Sequence, residues 1–259
     1  MATPQIIKGQ GLIFGLNYSK DSSCTLNGCI NDAHMVSRYV QSLGLPVSVY
    51  TDDLDFSSCT GIGMLQKLYE LAVQSYSDNL DFVWIHYSGH GSSVKDASGD
   101  ELDGLDECLV PVDYKTNGLV SDDILKSVFK CFNPKTRVLA VFDCCHSGTI
   151  GDIKYSWEGP TKVLVENILC STKAKVITLS GCLDNQTSAD AFNVNKDNKY
   201  TGALTSCLLT ILSENKAYKT NVFQMLISLR EKLKQKGFSQ VPKICSTHNL
   251  AKDQIFLPL

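Results

Sequence analysis

His90, inside Tyr87-Ser88-Gly89-His90-Gly91, lies 55 residues before Cys145, inside Asp143-Cys144-Cys145-His146-Ser147-Gly148. Each motif closes an apolar run that reads as a buried strand, Phe82 to Tyr87 before the first and Val138 to Phe142 before the second. Two such strand ends at one edge of a sheet bring an imidazole to a thiol, which is what a cysteine nucleophile requires of its base. His90 would favour the Cys145 thiolate and protonate the leaving amine. The backbone N–H groups of Cys145 and Gly91 are the expected oxyanion donors, because glycine lets the backbone come close. Strand alternation puts Asp143 and Cys145 on one side and Cys144, an apolar filler, on the other. The expected reaction is peptide hydrolysis by a Cys–His dyad. His86 within the strand and His146 after the thiol take structural or hydrogen-bonding roles, and His34 and His248 carry no motif.

Positioning these motifs takes a sheet, and the chain alternates strand and helix patterns throughout. Gly11 to Tyr18 reads as a strand, Asn31 to Leu43 as a helix, Val47 to Tyr50 as a strand and Gly61 to Tyr76 as a helix. After the histidine motif comes a polar, acidic loop of about 30 residues, then a helix from Asp122 to Phe132. Ala174 to Leu179 is a further strand, Gly202–Leu212 and Val222–Gln235 are helices, and Lys243 to Ser246 is a short last strand. The pattern predicts an α/β fold with a mostly parallel central sheet flanked by helices on both faces. Sites in such sheets form beyond the carboxyl ends of the strands, where both motifs fall.

Composition narrows the class. The 259 residues carry a net charge of -3, without a lysine or arginine run, so neither nucleic acid nor an anionic membrane is expected as a partner. The 11 cysteines are odd in number, lie partly in apolar runs and contain no C-x-x-C pair, which argues for free thiols in a reducing, cytoplasmic setting. A signal peptide, a membrane span and a structural zinc site are not expected.

The segments GLIFGLNY, NGCINDA, HYSGHG, DECLVPVDY, DCCHSGT and SGCLDNQTSADA, in that order, resemble the metacaspases, within the caspase-like clan of cysteine peptidases. The resemblance implies one caspase-like domain over residues 1–259. It would comprise a large-subunit-like half (about 11–152), a connector (about 153–173) and a small-subunit-like half (about 174–259). His90 matches the catalytic histidine and Cys145 the nucleophile. The short form is implied, without a long N-terminal pro-domain or long inter-subunit linker, and as a monomer acting on proteins or peptides.

Specificity follows from charge. Caspases that cut after aspartate hold it with arginines, whereas this chain has three, Arg38, Arg137 and Arg230, none in a site motif. By resemblance, Cys29, Asp32, Ser88 and Asp143 line the primary pocket. Two carboxylates there would pair with a guanidinium or ammonium, so cleavage after Arg or Lys is expected; outside that context Asp32 reads as a helix cap. From Gly91 to Asp123 nine carboxylate residues face two lysines. Without a family this is a solvated active-site loop that misses the EF-hand rule. With it, Asp106, Asp122 and Asp152, and Asp123 beside them, match calcium-binding positions, so calcium is a possible activator, although Ser121 stands where some relatives carry aspartate. Lys154, Lys162, Lys173 and Lys175 offer self-cleavage points in or beside the connector. A catalytically silent scaffold and a cysteine-rich redox or metal protein are the competing readings. The intact His90 and Cys145 oppose the first, and the lack of paired cysteine spacing opposes the second.

Overall fold

A computed structural model describes residues 7–96, 104–144, 150–167, 170–181, 190–192 (backbone only), 200–214 and 220–257. Its centre is an eight-stranded sheet. β1 (Gly9–Gly15), β2 (Val47–Thr51), β3 (Phe82–Ser88), β7 (Arg137–Asp143) and β10 (Lys175–Ser180) run parallel, in the order β2-β1-β3-β7-β10. β13 (Lys243–Ser246), β8 (Tyr155–Gly159) and β9 (Lys162–Val165) continue it as antiparallel neighbours. The mostly parallel sheet expected from the strand–helix alternation is therefore present.

Helices cover both faces, and the sheet's side chains alternate between two cores. On one face α2 (Gly61–Ser77) and α4 (Asp122–Lys130) place Met64, Leu68, Leu125 and Phe129 against Phe14, Val83, Tyr87, Ala140 and Phe142. On the other, α1 (Cys29–Ser42), α5 (Ala203–Glu214) and α6 (Val222–Gln235) pack Val36, Leu204, Leu208 and Leu226 against Ile13, Trp84, Leu139 and Val141. β3 and β7 lie side by side in the middle and are buried almost throughout, which is why their sequences read as continuous apolar runs.

Three expectations need correction. The acidic loop is not irregular: β4 (Gly91–Lys95), β5 (Leu105–Leu109) and β6 (Val120–Ser121) form a separate three-stranded antiparallel sheet, with a four-residue helix, α3 (Tyr114–Asn117), between its last two strands. These strands are short and rich in small or charged residues, so they lack the apolar alternation that announces a strand. The connector also holds structure, since β8 and β9 form a hairpin that joins the main sheet through β13. The N-terminal strand starts two residues earlier than expected and stops at Gly15, because the chain must turn there toward α1. A small hairpin of β11 (Asp190–Phe192) and β12 (Tyr200–Gly202) leads into α5. Among the described residues the cysteines are free thiols, and no helix is long and apolar enough to cross a membrane.

The turn after β1 positions the site. Gly28 offers α1 no side-chain cap, and Asn17 supplies one from a distance, its Oδ1 accepting the Cys29 and Ile30 N–H groups at 3.0 and 3.3 Å. A Cβ on Gly15 would stand 2.5 Å from the Cys29 carbonyl oxygen and 2.7 Å from the Ala33 Cβ, so only glycine lets α1 lie this close to the strand. Gly15→Ala is expected to lower stability by about 2 kcal/mol or more in urea unfolding, an overpacking cost against backbone that cannot yield; an unchanged midpoint would refute this packing account.

Candidate active site

β3 and β7 end together. Their register runs from Phe82 opposite Arg137 to Ser88 opposite Asp143, so the histidine and cysteine motifs leave adjacent strands at the same level. Asp143 lies on the α1/α5 side, and Cys144 is fully buried in the opposite core, as the alternation predicts. Cys145, the expected nucleophile, and His146 lie outside the described residues, as do Asp100, Glu101 and Asp103 of the acidic segment.

His90 is half-buried and held from three directions. Its Nε2 is 2.7 Å from the Cys24 carbonyl oxygen. A carbonyl only accepts, so Nε2 carries the proton and Nδ1 presents the lone pair that can take a thiol proton. The Tyr18 hydroxyl accepts the His90 backbone N–H at 2.9 Å and donates to the Val110 carbonyl at 2.6 Å, while the two rings pack at a 42° tilt with centroids 4.8 Å apart. The Tyr87 hydroxyl, 3.0 Å from that of Tyr18, also bridges the His90 and Val110 carbonyls at 2.8 and 3.0 Å. Burial pushes both phenols well above their ordinary range, so they remain protonated. A Cβ on Gly89 would meet the two hydroxyls at 2.6 and 2.9 Å, so glycine is required between Ser88 and His90. Tyr18 itself has φ of 54°, in the left-handed region uncommon for a large side chain, which marks a turn held by its surroundings.

Gly91 starts β4 opposite Leu109, and Val110 N–H donates to the His90 carbonyl at 3.1 Å. Gly91 and Leu109 are therefore a pair without mutual hydrogen bonds, and the ladder does not consume the Gly91 N–H.

The structure also gathers the expected pocket residues Cys29, Asp32, Ser88 and Asp143, all buried, at the ends of β3 and β7 and the start of α1. Asp32 lies in the first turn of α1 but does not cap it. Its carboxylate accepts the Ser88 Oγ–H at 2.9 Å and the Gly202 N–H at 3.0 and 2.9 Å. Asp143 Oδ2 accepts the Thr205 N–H at 2.9 Å and its Oγ–H at 2.8 Å. His86, fully buried beneath them, has its Nε2 3.5 Å from Ser88 Oγ and 3.4 Å from Thr205 Oγ1, and burial pushes its pKa down to about 3, so it is neutral.

The four carboxylates expected to hold calcium are engaged otherwise. Lys126 Nζ pairs with Asp152 and, at 2.8 Å, with Asp123, and Asn167 Nδ2 donates to Asp152 at 2.6 Å. Asp122 accepts the Glu107 N–H at 2.9 Å and the Asp123 N–H at 2.8 Å, and burial pushes its carboxyl up to about 7. Asp106 is buried nearby on β5, raising Asp122 further. Among the described residues no group of three or more acidic, histidine or cysteine side chains is placed to hold a metal ion with the Lys126 ion pairs formed. Lys126, which the sequence reading passed over, lies one helical turn after Asp123, a spacing that signals an ion pair. Tyr18, Gly202 and Thr205 were missed as well. Tyr18 stands in GLIFGLNY, but nothing local tells which histidine it meets.

The chain matches the family described as Caspase domain over residues 8–253. It is 32% identical to Metacaspase-2 and to Metacaspase-3 of Trypanosoma brucei brucei, each over 99% of this chain and 78% and 76% of the relative. It is 30% identical to Metacaspase-1 of Yarrowia lipolytica over 93% of this chain and 62% of that protein. A solved protein from Geobacter sulfurreducens shares the fold, with a TM-score of 0.66 at 24% identity over 96% of this chain and 99% of that one.

Tyr18→Phe, which keeps the ring and removes the hydroxyl, is expected to lower kcat about tenfold with KM within about twofold in peptide hydrolysis, because it loosens the imidazole without touching the specificity residues. An unchanged kcat would remove Tyr18 from the machinery.

Proposed function

The chain belongs to the caspase-domain family of cysteine peptidases and is metacaspase-like, and on that premise we propose that it is an endopeptidase cleaving after arginine or lysine. In this reading the Cys145 thiol passes its proton to His90 Nδ1 and the thiolate attacks the scissile carbonyl. The Gly91 and Cys145 N–H groups receive the oxyanion. His90 then returns the proton to the leaving amine, and water releases the acyl group by the reverse use of the same base. The Cys24 carbonyl on Nε2 keeps the tautomer and would stabilise the imidazolium as it forms.

The observation that supports basic specificity is the meeting of two buried carboxylates, Asp32 from α1 and Asp143 from β7, around Gly202. Buried like charges invite a cation, and a guanidinium or ammonium from a substrate supplies one. Peptides ending in arginine, lysine or aspartate before a fluorophore, tested with wild type and Cys145→Ala, are expected to show arginine and lysine release lost in the mutant. A preference for aspartate would overturn the pocket. In the same samples wild type is expected to shift in intact mass by self-cleavage, with Lys173 the best-placed site, since it is exposed and lies outside any strand.

For calcium, we take Lys126 as the ion's competitor. Its ammonium holds Asp152 and Asp123, so activation requires those carboxylates to be released. Lys126→Met is expected to gain activity, and a rise in Tm, at lower calcium than wild type. Equal calcium dependence in both proteins, or none in either, would refute the competition.

A further inference from the structure

The start of α5 does more than pack beside the pocket. Gly202 is the residue before the helix, and Thr205 is the third residue within it, the position whose N–H has no partner inside the helix. Asp143 takes that N–H and Asp32 takes the Gly202 N–H, so the two pocket carboxylates together cap α5 from outside the helix. The arrangement is tight: a Cβ on Gly202 would stand 2.1 Å from Asp143 Oδ2 and 2.7 Å from Asp32 Oδ2. Both Thr205 bonds land on the same oxygen of Asp143, at 2.9 and 2.8 Å, and so set the orientation of that carboxylate. Behind them, His86 Nε2 reaches the Thr205 and Ser88 hydroxyls, whose own protons go to Asp143 and Asp32. These hydroxyls offer His86 only lone pairs, so its Nε2 carries the proton and one imidazole backs both carboxylates.

We propose that Gly202 and Thr205, with His86 behind them, are specificity-positioning residues: Gly202 leaves the space in which Asp32 and Asp143 converge, and Thr205 orients Asp143 toward a bidentate cation. The assignment rests on the basic-pocket reading above. It places part of the pocket's specificity in the small-subunit-like half, outside the two motifs that carry the chemistry. A guanidinium needs two acceptors in a fixed plane, whereas an ammonium tolerates their rotation, so arginine should feel the loss of orientation more than lysine.

The test uses the full chain and three substrates differing only at the residue cut after: arginine, lysine and citrulline, the neutral isostere of arginine. Thr205→Val keeps the shape and the backbone N–H and removes the hydroxyl; Thr205→Ser restores it. Thr205→Val is expected to raise KM for the arginine peptide about tenfold, the worth of one bond to a charged group, with kcat within about twofold. Lysine should suffer less, the arginine-to-citrulline ratio should fall with the arginine KM, and Thr205→Ser should stay near wild type. The rate of alkylation of Cys145 by iodoacetamide should not change in either variant, since neither touches the dyad. A wild type that hydrolyses citrulline as well as arginine overturns the basic pocket and this assignment with it. A wild type that prefers arginine, with a Thr205→Val variant that keeps the same ratio or loses only kcat, overturns the assignment alone.

Discussion

The pairing of β3 with β7 is the constraint on which the rest of this molecule depends. Seven residues of each strand face one another in parallel, ending with Ser88 beside Asp143. A slip of one residue would exchange the faces of every side chain, sending Asp143 into the apolar core of α2 and α4 and Cys144 toward α5. Burial on both faces makes such a slip prohibitive, since a carboxylate in that core would lose its donors. The register therefore holds for stability, and the placement of His90, Asp143 and the chain leading to Cys145 comes with it.

Around that pair the polar groups are arranged so that His90, α1 and α5 are each held by something outside their own segment. The imidazole of His90 is oriented by a carbonyl from the loop after β1, and its backbone N–H and C=O are held by tyrosines from β1's exit and β3. The first turn of α1 is capped by Asn17 rather than by its own preceding residue. The first turn of α5 is capped by aspartates of the other half of the chain. Helix ends carry unpaired N–H groups, and aiming them at buried carboxylates stabilises both partners. This mutual capping ties the start of α5 to α1 and to the end of β7.

Much of this was legible beforehand, for identifiable reasons. The central strands announced themselves because burial on both sides leaves a continuous apolar run, as in Phe82-Val83-Trp84-Ile85 and Val138-Leu139-Ala140-Val141-Phe142. The helices showed their 3.6-residue stripes. β4 and β9 stayed hidden because edge strands such as Gly91-Ser92-Ser93-Val94-Lys95 bury only one side or none, and β5 and β8 because their short runs carry charged residues.

For the site, residue types and spacing pointed to His90 and Cys145, because nucleophilic chemistry demands a thiol and a base at strand ends; the expectation for Asp32 and Asp143 came from the family resemblance, since Asp32 by itself reads as a helix cap. Three matters belonged to tertiary structure alone. The tautomer of His90 depends on Cys24, 66 residues away in sequence, reaching its Nε2. The state of the acidic cluster depends on which cation gets there, and Lys126 bridges α4 to Asp152 across 26 residues. The orientation of Asp143 depends on Thr205, 62 residues further along. A chain can specify which groups exist and how they alternate along an element, but hydrogen bonds and ion pairs form between whatever the packed elements bring within about 3 Å, and that proximity exists only once the sheet has closed.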